Sequence, residues 1–205
     1  MSELATEEAK KRVAEKIAAI EKKTSAEIVV SMRKSSGDYR AADLAVGAIA
    51  AGIFLCVFLY HPEEFDFTFF PLEQAVAFAV GALLCASVPP LRRFFVASTT
   101  RHENVARAAR ALFVDRGISK TRGRTGVLVY LSAFERDADI VLDVGIDAEK
   151  LGSGYASVCQ GLRAASARGR LDELLSALDA LGDVLAKAHP VTADDVDELS
   201  NEVAA

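Results

Sequence analysis

The chain has 205 residues, a formal net charge of -5 and a hydrophobic fraction of 51%. That length holds one domain of ordinary size with its own core, and the negative balance argues against a general nucleic-acid binder. The three cysteines, Cys56, Cys85 and Cys159, show no Cys-x-x-Cys or zinc spacing, which argues against a disulfide framework.

The N-terminal "MSELATEEAKKRVAEK" is charged and lacks an apolar core, so it does not read as a cleavable signal peptide. Residues 3–23 read as a helix with Leu4, Val13, Ile17 and Ile20 on one stripe. Thr24 and Ser25 break it, and "AEIVVSMRK", with consecutive β-branched residues, predicts a strand over 26–33. "SSGDYR" then links to two apolar stretches, Ala41 to Tyr60 and Pro71 to Leu91, separated by ten residues.

Each stretch approaches the roughly 20 residues that cross a hydrocarbon core. Asp43, Glu73 and Gln74 sit near their ends, and the interiors carry no formal charge. The predicted arrangement is a transmembrane helical hairpin. Two helices buried in a soluble core, or used for oligomerisation, are the alternatives. Gly47, Gly52 and Gly81 would let the helices approach closely. Arg33, Lys34 and Arg40 precede the hairpin, and Arg92, Arg93 and Arg101 follow it. The loop "HPEEFDFTFF" has no Lys or Arg. The positive-inside rule then puts both termini in the cytoplasm and the loop outside, in a multi-pass membrane protein. Tyr60 and the phenylalanines of the loop suit an interfacial collar.

Pro89 and Pro90 end the second apolar helix, and "LRRFFVAS" is expected to run along the interface. A helix follows over 99–115, burying Val105, Ala108, Ala109, Leu112 and Phe113. "RGISKTRGRTG" is a basic loop. "TGVLVYLSAF" predicts a strand covered on both faces, and "DIVLDVGI" a second strand joined to it as an antiparallel hairpin. Helices are expected over 153–167 and 171–188, the second with a strong leucine stripe, and an acidic tail closes the chain. The parts are thus 1–40 and 92–190 as one split domain, 41–91 as the hairpin and 191–205 as the tail. The fold class is α/β: a small layered α/β/α domain interrupted by a two-helix transmembrane hairpin.

The stretches "TSAEIVVSMRK", "LFVDRGISKTRGRTGVLVYLSAFERDADIVLDVGI", "LRAASARGRLDELLSALDALGDVLAKAHP" and "DDVDELSNEV" together resemble the TPM domain family, in particular a bacterial membrane-bound subgroup. The resemblance covers roughly residues 1–35 and 98–200. It implies a TPM-like fold with the hairpin as an insertion, in a bacterial inner (plasma) membrane. It also implies three activities known among family members: acid phosphatase activity, calcium binding, or help in assembling membrane complexes. Where many members carry a "G-x-G-L/E" segment, this chain has "LDVGIDAEKLGSG", which keeps Gly145 and a displaced acidic group.

Six carboxylates cluster in sequence: Glu135, Asp137, Asp139, Asp143, Asp147 and Glu149. Carboxylates suit calcium or magnesium, which take several hard oxygens, and could support metal-assisted phosphate ester hydrolysis. Asp139, Asp143 and Asp147 are the candidate metal ligands. Asp137, Asp139 and Asp143 share a parity and so one face of a regular strand, and Asp143 and Asp147 flank Gly145. The other reading of the cluster is a turn with solvated strand edges. Arg116, Lys120, Arg122 and Arg124, with Arg92 and Arg93, could meet a phosphate group or an anionic lipid. The three histidines, His61, His102 and His189, are far apart in sequence and predict no dyad. Cys159 reads as a small helix residue.

Two functions follow as expectations. The first is a membrane-anchored binding, assembly or quality-control module whose partners are anionic lipid and a membrane protein, with a homo-oligomer left open. The alternative is a divalent-metal-dependent acid phosphatase using the Asp137–Asp147 cluster. The sequence does not establish an enzyme.

Overall fold

The computed structural model of the chain describes residues 4, 6–61 and 67–191. Most of the acidic tail and residues 62–66 of the interhelical loop lie outside the described residues. The chain divides into two compact units, residues 37–100 and everything on either side of them.

The flanking unit opens with α1 (Glu7–Glu21). The Thr6 hydroxyl accepts the Ala9 N–H at 3.1 Å and caps the helix. This is why the helix begins later than its apolar pattern, which already includes Leu4. Strand β1 (Glu27–Arg33) follows. After the inserted unit come α5 (Ser98–Asp115), a short 3-10 turn, β2 (Gly126–Ser132), β3 (Asp137–Leu142), α6 (Gly152–Arg168) and α7 (Leu171–Ala188). The sheet order is β1-β2-β3. Strands β1 and β2 are parallel, with Val29 opposite Leu128, and β3 returns antiparallel, with Ser132 opposite Asp137.

The sheet separates two apolar clusters because alternate residues face opposite sides. Ile28, Val30, Val127, Val129 and Leu131 join α1, α6 and α7 in the larger core. Val29, Leu128 and Tyr130 meet Val105, Ala109 and Phe113 of α5 on the other face. Strand β2 is buried throughout, as its continuous apolar run predicts. On α7, Leu174, Leu178, Leu181 and Leu185 recur at helical spacing and are fully buried. The layered α/β domain with a three-stranded sheet flanked by helices is therefore the architecture of this unit.

The inserted unit holds α2 (Arg40–Tyr60), α3 (Phe70–Ser87) and α4 (Pro89–Phe94). Both α2 and α3 are long and apolar enough to cross a membrane. They pack antiparallel, through contacts that run from Gly47 and Gly81 at one end to Phe58 and Phe70 at the other. A Cβ on Gly81 would lie 2.5 Å from the Ala50 Cβ, so the glycine sets the closeness of the helices. Gln74 donates its side-chain amide to the Ala51 carbonyl at 3.0 Å across the pair. At the base, the Arg92 guanidinium of α4 pairs with the buried Asp43 carboxylate of α2. Away from this seam the apolar side chains are open. Leu44, Ile53, Leu59, Leu72 and Leu83 are each more than half exposed. The helices are therefore not the buried pair of a soluble core.

Candidate functional site

The α5-facing side of the sheet changes character along the strands. At one end it is apolar. At the end where the parallel strands β1 and β2 finish, it carries Ser31, Tyr130, Ser132, Asp137 and Asp139. The carboxyl ends of parallel strands are where α/β folds commonly bind ligands, and two polar groups lie here.

The first group is a buried network around Glu135 in the β2–β3 turn. Its carboxylate accepts the Ser36 N–H at 2.8 Å and the Ser35 hydroxyl at 3.3 Å, and bonds the Ser132 hydroxyl. The Ser36 hydroxyl reaches Ser132 Oγ at 2.9 Å and lies 3.0 Å from the Tyr130 hydroxyl. Burial, reinforced by the Glu135 charge, pushes the Tyr130 phenol above its usual range, while the Ser36 hydrogen bond and Arg33 pull it back. Glu135 is 3% exposed. It is not a solvated turn residue but the hub that ties the end of β1 to the turn.

The second group stands beside the outer edge of β3. The His102 imidazole of α5 has Nδ1 2.8 Å from Asp137 Oδ2. Arg163 of α6 places Nε 3.3 Å from the Ala138 carbonyl and 3.8 Å from Asp137 Oδ1, with Nη2 3.5 Å from His102 Nε2. Asp137 also accepts the Ala138 N–H, and its carbonyl accepts the Ser166 hydroxyl at 2.8 Å. The carboxylate thus holds the ring by Nδ1, while the guanidinium covers the edge strand and faces Nε2. Asp139 lies next along the same face. Burial raises its carboxyl affinity for a proton, and the Ile140 N–H, His102, Arg163 and Arg110 oppose that rise. On α6, burial pushes up the Tyr155 phenol and the Cys159 thiol, which contact each other. Cys159 is half-buried, a helix residue at the edge of this group.

The sequence-predicted acidic residues are engaged one by one. Asp139 lies opposite Tyr130 in the ladder. Asp143 has its side chain buried beneath Arg124, whose Nε lies 3.1 Å from Oδ2 and Nη2 3.2 Å from Oδ1, and it also accepts the Val144 N–H. Asp147 caps the Glu149 N–H at 3.0 Å and pairs with Lys150 at 3.6 Å. Gly145 bonds the Arg124 carbonyl through its N–H, and a Cβ there would lie 2.3 Å from the Gly123 oxygen. The turn and the basic loop are therefore interlocked, with the half-exposed Arg124 guanidinium lying over the buried Asp143 carboxylate. Among the described residues, no three of His, Cys, Asp or Glu are grouped to hold a metal ion. Among the described residues Asp139, Asp143 and Asp147 are therefore not grouped as the several hard oxygens that calcium or magnesium takes around one point.

The residues that sequence reasoning missed are His102, Arg163 and the serines around Glu135. The strand parity placed Asp137 and Asp139 on one face. Nothing local in the sequence brings His102 of α5, 35 positions away from Asp137, to meet them.

No family model matches the sequence, and no curated protein matches it. Among solved structures, the chain is similar to the NMR structure of the BA42 protein from the psychrophilic bacterium Bizionia argentinensis, with a TM-score of 0.58 and 19% sequence identity. The match covers 97% of this chain and 93% of that one. The likeness is one of fold.

Proposed function

We propose that the chain is a membrane-anchored, TPM-like α/β domain that faces the cytoplasm of a bacterium and serves as a binding or assembly module. One observation carries this reading: a helix pair of membrane length that is packed along one seam and leaves its other apolar faces open. Apolar surface left in water costs about 25 cal/mol per Å², and patches of this kind mark surfaces that something covers. Lipid hydrocarbon fits because the exposed side chains surround the pair instead of lining one groove. The TPM-like reading rests on the resemblance of the quoted stretches, and the likeness to the BA42 protein adds a shared fold. Arg33, Lys34, Arg40, Arg92, Arg93 and Arg101 flank the hairpin and favour a cytoplasmic position for both termini. Anionic lipid and a membrane protein are the partners this placement favours. The function is docking rather than catalysis.

The test uses one reporter thiol at a time in a chain whose three native cysteines are replaced. In spheroplasts, a membrane-impermeant maleimide is expected to label Thr68→Cys at once and Ser176→Cys only after lysis. Labelling of Ser176→Cys in intact spheroplasts would reverse the orientation. Release of the protein by an alkaline carbonate wash would end the membrane reading.

A further inference from the structure

The docking role leaves the His102 group unused. Its parts are those of an activated nucleophile rather than of a simple surface pair. Asp137 accepts from Nδ1, which fixes the proton there and leaves the Nε2 lone pair as the reactive one. The carboxylate also offsets the positive charge the ring gains when Nε2 forms a bond. Arg163 stands with Nη2 3.5 Å from that nitrogen, held from behind by the Ala138 carbonyl. A guanidinium beside a nucleophilic nitrogen offers forked donors to the oxygens of a phosphoryl group. The imidazole and guanidinium side chains are 43% and 45% exposed, so a small donor can reach both from solvent.

We propose that His102 is a phosphoryl-acceptor site, modified at Nε2 by a small, high-energy phosphoryl donor of the acyl phosphate or phosphoramidate class. The Nε2 lone pair forms the N–P bond as the P–O bond of the acyl phosphate, or the P–N bond of phosphoramidate, breaks. The leaving group departs as a carboxylate or, after taking a proton from water, as ammonia. The Nδ1 proton stays on the ring, hydrogen-bonded to Asp137. Arg163 gives up its long contact with Nε2 and donates to the transferred phosphoryl oxygens. Asp137 is a positioning residue, and Arg163 binds the transferred group. The modification adds negative charge beside Asp137 and Asp139, on the face where α5 meets the sheet.

The chain carries its own control in the exposed His61. Full-length protein in nanodiscs is incubated with phosphoramidate, and modification at each histidine is followed by mass mapping under alkaline conditions that preserve the N–P bond. His102 is expected to be modified at least about tenfold faster than His61, a threshold set below the roughly 10²–10⁴-fold that a positioned catalytic side chain supplies. Asp137→Asn and Arg163→Gln are expected to bring that ratio towards one while leaving His61 unchanged. A ratio near one in the wild-type protein overturns the proposal without recourse to any variant. So does a ratio that survives both substitutions in proteins whose circular dichroism is native.

Discussion

Burial of Asp139 makes the folded protein bind its proton more tightly than the unfolded chain does. The sign follows from linkage: a carboxyl raised on folding contributes stability while protonated, and that contribution is lost as pH rises through the folded-state value. Folding therefore disfavours the ionised form relative to the unfolded chain. Asp139→Asn is expected to raise the melting temperature at pH 7 and to flatten the loss of stability between acid and neutral pH. A melting temperature that falls at pH 7 would show that the cations around Asp139 outweigh its desolvation. At this scale the sequence revealed little of the site. Parity put Asp137 and Asp139 together, but Glu135 reads as a turn residue until Ser35 and Ser36 arrive from a point 99 and 100 positions away in sequence. His102 likewise finds Asp137 only through the tertiary fold. Local patterns record burial and backbone preference, and carry no trace of such long-range polar pairing.

Two glycines on the inserted helices separate packing from mere composition. A Cβ at Gly81 would meet Ala50 at 2.5 Å, whereas one at Gly52 would have nothing within 4 Å. Gly81→Ala is expected to force the helices apart and lower the melting temperature in detergent, and Gly52→Ala to leave it unchanged. Overpacking costs typically about 1–3 kcal/mol, enough to resolve the two variants. Equal behaviour would mean that the seam does not hold the hairpin together. Elements, unlike site residues, were largely legible. The leucine spacing of α7 and the continuous apolar run of β2 each reflect a periodicity that burial imposes directly. The short 3-10 turn inside the basic loop was not, because Gly117 supplies its left-handed entry and leaves no periodic signal.

The flanking unit has two apolar clusters, one on each face of the same sheet, and both are built from residues of this unit. At its chain breaks, Ser36 is fixed on Glu135 of the β2–β3 turn, and His102, next to Arg101, on Asp137 at the start of β3. Replacing residues 37–100 by a short Gly/Ser linker is expected to give a soluble protein with native α/β circular dichroism and one cooperative thermal transition. Aggregation of that variant, with the full chain folding normally in nanodiscs, would show that the insertion is needed to complete the core. The layered class was legible from the order of elements. The parallel β1–β2 pairing was not, because its two strands lie on opposite sides of the insertion.

That pairing has a consequence in time. Val29 pairs with Leu128, so β1 leaves the ribosome long before its neighbour exists. Until then its ladder groups bond to water rather than to a neighbouring strand. The hairpin is made in the interval, and its two antiparallel helices return the chain to where it left. Joining distant strands through a floppy loop carries an entropic penalty that grows with loop length; a prefolded hairpin removes most of it. The sheet is then expected to assemble after the hairpin, and a chain whose hairpin fails to form is expected to keep β1 without its neighbour and open to proteolysis.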